Sequence, residues 1–155
     1  MILDLDIGNT RCKWRVTDGS TQAVRAGACT VAALAGELAA LPERAALQRV
    51  RAGCVRGVEV EAAVSAAART ALGLAVEFAR PAPSAAGVHN GYAEYQRLGV
   101  DRWLAMLAAY AEARGAVCVL DCGSAITADL VDAAGQHRGG YIGPVVVVQV
   151  RRQHP

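Results

Sequence analysis

Alternating apolar and polar residues predict two strands at the start of the chain. In residues 1–7 every second side chain is apolar, so Asp6 reaches the end of the first strand on the opposite, polar face. Residues 11–17 alternate in the same way and place Lys13 on the polar face of a second strand. An antiparallel pairing through the short connection Gly8-Asn9-Thr10 brings Lys13 to the side on which Asp6 points.

The later pattern predicts alternating helices and strands. Thr30 is suited to cap the first helix, and Pro42 to stop it. Three strands followed by alternating helix and strand indicate an α/β fold, with a mixed sheet that opens with an antiparallel meander and is flanked by helices. The predicted strands are 21–29, 47–55, 74–78, 116–120 and 125–132; the predicted helices are 31–41, 59–72 and 101–114; and 80–87 is a predicted loop.

Composition favours small-molecule chemistry in the cytoplasm. The chain has 155 residues, 54% hydrophobic and 19% charged, which suits one domain with a buried core. A formal net charge of +2 is too small to indicate a nucleic-acid partner. No apolar run approaches the length of a membrane span, and we expect a cytoplasmic protein with no membrane partner. The five cysteines include no C-x-x-C pair and are interpreted mainly as small buried hydrophobic residues.

The first connection carries residues suited to bind phosphate. Gly8 has no side chain, so a phosphate group can approach its backbone, while Asn9 and Thr10 supply donors. Asp6 is a carboxylate suited to a metal ion, and Lys13 is a mobile point charge suited to phosphate. An ordinary hairpin turn explains the same residues.

A similar arrangement recurs at Asp121-Cys122-Gly123-Ser124. In both places a strand, an aspartate, a glycine and a hydroxyl or amide donor precede a returning strand. Two such loops are able to face each other across a cleft and hold one polyphosphate with its metal ion. We therefore predict that both loops contribute to one phosphate site.

Residues 90–103 form the stretch richest in candidate functional residues. Asp101 lies at the start of a predicted amphipathic helix, where the helix dipole favours a carboxylate. Helix capping explains it, and so does a catalytic role, since a base in phosphoryl transfer mainly orients the attacking hydroxyl. Arg102 offers a planar fork that matches a carboxylate, with a surface salt bridge as the alternative. Tyr92 offers a ring to line a pocket, with loop packing as the alternative.

Two glycines and a histidine follow the last predicted strand. The Gly139-Gly140 pair predicts that the backbone passes close to a ligand or to another strand. His137 is predicted to be a surface residue rather than a ligand, because no second histidine is spaced with it.

Four motifs together resemble the type III pantothenate kinases. They are D-I-G-N-T-R-C-K-W, N-G-Y-A-E-Y-Q-R-L-G-V-D-R-W, D-C-G-S-A-I-T-A-D-L and G-G-Y-I, all within residues 1–144. The resemblance implies an actin-like ATPase (ribonuclease H-like) domain of the acetate kinase, sugar kinase, Hsp70 and actin superfamily. It also implies ATP-dependent phosphorylation of pantothenate to 4'-phosphopantothenate, the first step of coenzyme A biosynthesis, by a cytoplasmic homodimer.

The resemblance also implies roles for individual residues. Asp101 matches the proton acceptor, Asp121 matches the ligand of a monovalent cation, K⁺ or NH₄⁺, and Asp6 is a candidate for the Mg²⁺ that accompanies ATP. The residues that match ATP-binding positions are Asp6, Ile7, Gly8, Asn9, Thr10, Arg11, Cys12, Lys13 and Ser124, where serine keeps the hydroxyl of the family's threonine. The residues that match pantothenate contacts are Tyr92, Gly99, Val100, Asp101 and Arg102.

The family pattern is broken near residue 144. Family members continue with Pro-Gly and then an entire second lobe, whereas Pro144 is followed here by Val145. We expect residues 1–144 to form an N-terminal actin-like lobe, and we interpret 145–155 as the atypical tail of a truncated or frame-disrupted member that lacks the second lobe. The alternative to a kinase is then a non-catalytic actin-like lobe that acts as a binding or regulatory accessory module.

Overall fold

The computed structural model describes residues 1–19, 22–123 and 125–144. These residues divide into two compact units. The first unit contains Met1–Pro81 and Gly99–Asp101, and the second contains Ala82–Leu98 with the described residues from Arg102 onward. The predicted tail 145–155 and Ser124 lie outside the described residues.

The first unit is built on a five-stranded mixed sheet. Its strands are β1 (Ile2–Ile7), β2 (Cys12–Thr17), β3 (Ala23–Cys29), β4 (Arg49–Cys54) and β5 (Val76–Phe78), in the order β3-β2-β1-β4-β5. The first three strands pair antiparallel, and β4 and β5 extend the sheet in parallel. This arrangement confirms the predicted α/β fold with a mixed sheet opened by an antiparallel meander.

Two helices, α1 (Leu34–Ala39) and α2 (Val58–Leu72), belong to this unit. The segment before α1 begins as a 3₁₀ turn, and the Thr30 hydroxyl accepts a hydrogen bond from the Ala33 N–H over 3.3 Å, as its predicted capping role requires. Helix α2 ends at Leu72 and is followed by Gly73, which adopts the left-handed conformation that favours glycine.

One face of the sheet forms the core of the first unit. Leu3, Leu5 and Ile7 are buried on the face that alternation predicts, and Asp6 is exposed on the other. The buried side chains that join them are Cys12, Trp14, Val16, Leu34, Leu38, Leu41, Leu47, Val50, Ala52, Cys54, Val64, Ala67 and Ala68. Burial and the neighbouring Cys29 thiol raise the pKa of Cys12 to about 12, so this thiol is an inert core residue.

Two glycines of the first unit provide a test of this packing. An alanine at Gly27 would place its Cβ 2.5 Å from the Trp14 indole, whereas one at Gly36 in α1 would meet nothing within 4 Å. We expect Gly27→Ala to lower the free energy of unfolding by about 1–3 kcal/mol. Gly36→Ala is expected to raise it by about 0.5–1 kcal/mol, because glycine loses more entropy in a helix. Urea unfolding followed by circular dichroism compares the two, and equal effects would contradict the packing described for Trp14.

The second unit contains a short hairpin, most of one helix and a three-stranded sheet. The hairpin joins β6 (Ser84–Ala85) and β7 (Val88–His89), partly inside the predicted loop 80–87. Helix α3 (Val100–Ala113) belongs to this unit from Arg102 onward. The antiparallel sheet has β8 (Val117–Cys122), β9 (Ala125–Val131) and β10 (His137–Pro144) in the order β10-β9-β8. Its core consists of Val88, Leu98, Trp103, Met106 and Val131.

Strand β8 differs from its prediction as a buried strand. Cys118, Leu120 and Cys122 are exposed, with Leu120 at 68%, so the prediction that the cysteines are buried is wrong for Cys118 and Cys122. Val117 and Val119 pack against the core of the unit, while no described residue covers the opposite face. An apolar strand pattern does not reveal whether one face or both are covered.

No helix in the described part of the chain has the length and apolar character needed to cross a membrane.

Candidate functional site

The hairpin between β1 and β2 places two of the predicted phosphate-site residues side by side. Asp6 and Lys13 are register partners, and the Lys13 ammonium lies 3.8 Å from an Asp6 carboxylate oxygen. Their side chains are 62% and 72% exposed. The predicted placement of Lys13 beside Asp6 is therefore confirmed, and both charges face solvent.

Gly8 is not required by the packing or the shape of this hairpin. It lacks the positive φ that demands glycine, and an added Cβ would meet only the Arg11 carbonyl at an ordinary 3.5 Å. Its N–H donates to that same carbonyl over 3.1 Å. Neither packing nor backbone conformation therefore requires a glycine here, and the approach of a phosphate group to its backbone stays a prediction.

The charged residues next to the hairpin differ in how they are paired. Asp4 accepts hydrogen bonds from Arg15 over 3.0 Å and from Arg51 over 2.8 Å, on the polar face of the same sheet. The Asp6 carboxylate, by contrast, lies 3.8 Å from the Lys13 ammonium, a longer contact than either hydrogen bond of Asp4. A surface groove of about 750 Å³ runs past Asp4, Asp6 and Lys13. At the end of β1 the Asp6 carboxylate and the Lys13 ammonium are thus both accessible to a ligand.

The hairpin between β8 and β9 repeats several of these features in the second unit. Asp121, Cys122 and Gly123 are exposed, and the Gly123 N–H donates to the Ala125 carbonyl over 3.0 Å. A Cβ on Gly123 would come no closer than 3.9 Å to the Asp121 carboxylate, so this glycine is also not required by packing. Asp6 and Asp121 belong to different units, and their contribution to one phosphate site stays a prediction.

Arg102 lies in a buried cluster that also contains Asp129, His137 and Tyr92, called here the Arg102 cluster. Arg102 Nε donates to Asp129 Oδ2 over 2.8 Å and Nη2 donates to Oδ1 over 2.5 Å. The third nitrogen, Nη1, lies 3.3 Å from the Tyr92 hydroxyl, and the guanidinium lies 5.9 Å from the centre of the Tyr92 ring. Hydrogen bonds to Asp129 raise the pKa of Arg102 above its already high ordinary value, which keeps the guanidinium charged. The alternative of a surface salt bridge is wrong, because the side chain is only 6% exposed.

His137 is buried, so its prediction as a surface residue is wrong. Its side chain is fully enclosed, with Nε2 3.0 Å from Asp129 Oδ1, and its ring stacks on Tyr92 at a centroid distance of 5.9 Å. Its Nδ1 accepts a hydrogen bond from the Gly91 N–H over 3.4 Å. The spacing of histidines carries no signal for these partners, since they lie 8 and 46 residues away in the sequence.

Gly140 passes directly beneath the Arg102 cluster. A Cβ at this position would lie 2.1 Å from Asp129 Oδ1 and 2.4 Å from Arg102 Nη2. The predicted close approach of the Gly139-Gly140 backbone is therefore confirmed, and its neighbour is an ion pair of the protein itself. Gly139 has φ of +115°, a conformation that other residues rarely adopt.

The remaining predicted substrate residues lie at or before the start of α3. Asp101 is exposed in the first turn of the helix, whereas the Val100 side chain is buried, at 7% exposure. Tyr92 is partly exposed and lines a surface cavity of about 350 Å³ with Ala93, Glu94 and Arg97. Tyr92 thus borders a surface cavity and also packs on His137, and its role as a substrate contact stays a prediction.

Metal ligands are sparse in the described part of the chain. No group of three or more histidine, cysteine, aspartate or glutamate side chains is arranged there to hold a metal ion. Asp6 and Asp121 therefore belong to no such group among the described residues, and their roles as cation ligands stay predictions.

The fold and these hairpins define an α/β protein with two candidate phosphate-binding turns. The family model for type III pantothenate kinase matches residues 2–151, and the chain belongs to this family.

The curated relatives are longer than this chain. A type III pantothenate kinase of Pseudomonas fluorescens is 49% identical over 146 residues, covering 93% of this chain and 58% of the relative. One of Azotobacter vinelandii is 41% identical over 157 residues, covering 99% and 61%. The chain thus spans about three-fifths of the length of these relatives. Among solved structures, YeaZ from Pseudomonas aeruginosa matches 98% of this chain and 71% of its own at 17% identity, with a TM-score of 0.38.

Proposed function

We propose that the complete protein phosphorylates pantothenate with ATP to give 4'-phosphopantothenate, the first step of coenzyme A biosynthesis. The family match over residues 2–151 carries this proposal. The exposed Asp6 and Lys13 beside a glycine that packing does not require add support from the structure. A cytoplasmic homodimer is part of the same proposal.

ATP is proposed to bind along the first hairpin, from Asp6 to Lys13. The Lys13 ammonium and the open backbone at Gly8 suit a polyphosphate, and the exposed Asp6 carboxylate suits the accompanying Mg²⁺. When bound, Mg²⁺ neutralises charge on the phosphate oxygens. Ser124, which lies outside the described residues, is proposed to add a hydroxyl contact to ATP.

Asp121 is proposed as a ligand of the monovalent cation, K⁺ or NH₄⁺. Its carboxylate is exposed at the end of β8, and the open space around Gly123 leaves room for other oxygen ligands. The resemblance of Asp121-Cys122-Gly123-Ser124 to the family motif supports this assignment.

Pantothenate is proposed to contact Tyr92, Arg102 and the segment Gly99–Val100. Because the Val100 side chain is buried, this residue would contribute its backbone. Asp101 is proposed to orient the pantothenate hydroxyl and take its proton, while a bond forms from that oxygen to the terminal phosphorus and the bond to the leaving ADP oxygen breaks. The loose transition state of phosphoryl transfer requires orientation more than strong basicity.

A coupled assay of ADP formation on the complete gene product tests this function. We expect ADP only when ATP and pantothenate are both present, and a higher rate with K⁺ or NH₄⁺ than with Na⁺. No turnover under any of these conditions would contradict the kinase and favour the non-catalytic lobe.

Lys13→Gln is expected to raise KM for ATP about tenfold, because the loss of one charged hydrogen bond to phosphate costs about that much in affinity. Arg51→Gln is the matched control, since it removes the same charge from the same sheet but from a residue bound to Asp4. The assay above measures both variants. Similar KM changes in the two would show that general surface charge, and not Lys13, attracts the nucleotide.

A further inference from the structure

The Arg102 cluster places an ion pair and a histidine in the interior, which a stable core does not require. Arg102, Asp129 and His137 are 6%, 2% and 2% exposed. Removing an ion pair from water is costly, and apolar residues of similar volume often give equal or better stability. Stability alone therefore does not explain the pair, whereas fixed placement of the guanidinium does.

The hydrogen bonds of the cluster fix the proton of His137. The Gly91 N–H can only donate, so Nδ1 of His137 must accept and carries no proton. Nε2 then bears the proton and donates a hydrogen bond to Asp129 Oδ1. His137 thus connects the two groups: its Nδ1 accepts from the Gly91 N–H, and its Nε2 lies 3.0 Å from Asp129 Oδ1.

Asp129 in turn fixes the plane of the guanidinium. Both of its oxygens accept from Arg102, through Nε and Nη2, which is the bidentate geometry that constrains orientation most strongly. Nη1 is thereby directed toward the hydroxyl of Tyr92, a partly exposed residue that lines the cavity with Ala93 and Glu94. Because Gly140 has no side chain, the ion pair of Arg102 and Asp129 can lie directly against its backbone.

We propose that Asp129 is a positioning residue for substrate recognition, with His137 as its support. It holds Arg102 so that Nη1 and the Tyr92 hydroxyl together recognise the carboxylate of the substrate. Neither Asp129 nor His137 touches the substrate in this scheme. The inference rests on the proposed function, because the carboxylate in question is that of pantothenate.

The test compares pantothenate with an analogue in which a primary alcohol replaces the carboxylate. For Asp129→Asn in the complete gene product, we expect KM for pantothenate and its dissociation constant by calorimetry to rise about 10- to 100-fold. KM for ATP and the saturated kcat are expected to stay within about threefold. Binding of the alcohol analogue is expected to change little, since it makes no ion pair with Arg102. Asp132→Asn, at the pair with Arg138, is the matched control. Asparagine keeps an oxygen that can accept from the Ala134 and Gln136 N–H groups, so we expect this variant to leave all five values unchanged.

His137 supplies a second, milder set of variants. His137→Gln keeps an N–H donor near the position of Nε2 and is expected to retain most of the affinity for pantothenate, whereas His137→Phe loses both hydrogen bonds and is expected to lose affinity. If Asp129→Asn does not fold, these two variants decide the matter.

Several outcomes would overturn the proposal. Unchanged pantothenate binding in Asp129→Asn and His137→Phe would do so, and so would equal weakening of pantothenate and the alcohol analogue, which indicates general damage to the site. A wild-type protein that neither binds nor phosphorylates pantothenate would overturn the proposed function itself, and this inference with it. Because the wild-type protein is assayed first, a failure of the proposed function is distinguished from a failure of the proposal for Asp129 alone.

Discussion

Asp101→Asn is expected to lower kcat for pantothenate phosphorylation by about 10²- to 10⁴-fold. Asparagine keeps the size of the side chain and one oxygen that can accept a hydrogen bond, but it does not take the proton of the attacking hydroxyl. Because Asp101 is exposed in the first turn of α3, the loss is expected without loss of folding. KM for ATP should change little, since the nucleotide is proposed to bind at the hairpin of Asp6. The coupled assay of ADP formation measures both constants.

A control for this prediction lies on the same helix. Glu112→Gln removes an exposed carboxylate from the last turns of α3 and is expected to leave kcat unchanged. If Asp101→Asn retains the wild-type kcat, another group accepts the proton or none is needed. If both variants lose activity equally, the effect belongs to the charge of the helix and not to Asp101.

The first unit was largely predictable because its sheet has one apolar and one polar face. Leu5 is buried and its neighbour Asp6 is exposed, so alternation predicted β1 and β2 together with their faces. The observed boundaries differ from the predicted ones by a few residues. The first helix, for example, begins at Leu34 instead of residue 31, because a 3₁₀ turn precedes it. Strands β6 and β7 went unpredicted because two residues are too short for a periodic pattern.

The second unit was less predictable because its key contacts connect distant parts of the chain. Arg102 and Asp129 lie 27 residues apart, and His137 reaches back 46 residues to Gly91. A lone histidine in a sequence shows none of these partners, so burial in a polar cluster could not be inferred from it. The Gly139-Gly140 pair did carry a signal, since close backbone approach is one of the few reasons for such a pair.

The candidate site was predictable in parts rather than as a whole. Each hairpin was inferred from its aspartate and glycine, and the structure gives Gly8 and Gly123 no role in packing. Their joint binding of one polyphosphate depends on the placement of two separate units, which neither motif specifies. The proposed role of Asp129 could not be inferred, because its position in a strand shows only which face it shares with Thr127.

Asp129→Leu is expected to lower the free energy of unfolding by about 3–5 kcal/mol. The substitution leaves the Arg102 guanidinium charged in a place where it is only 6% exposed, and it also removes the acceptor of the His137 Nε2 proton. Urea unfolding of the complete protein, followed by circular dichroism, measures the change. Glu77→Leu is the control: it breaks an ion pair of similar bidentate geometry with Arg49, but one that is solvent-exposed and expected to shift the midpoint far less.

The double variant Arg102→Met with Asp129→Leu separates stability from recognition. Because it removes the unpaired charge together with its former partner, we expect it to recover most of the stability that Asp129→Leu loses. Its affinity for pantothenate should nevertheless stay low, since no guanidinium remains to meet the carboxylate. A double variant as unstable as Asp129→Leu would show that the uncompensated charge is not the cause of the loss. A stable double variant that still binds pantothenate tightly would show that the buried pair serves neither folding nor recognition.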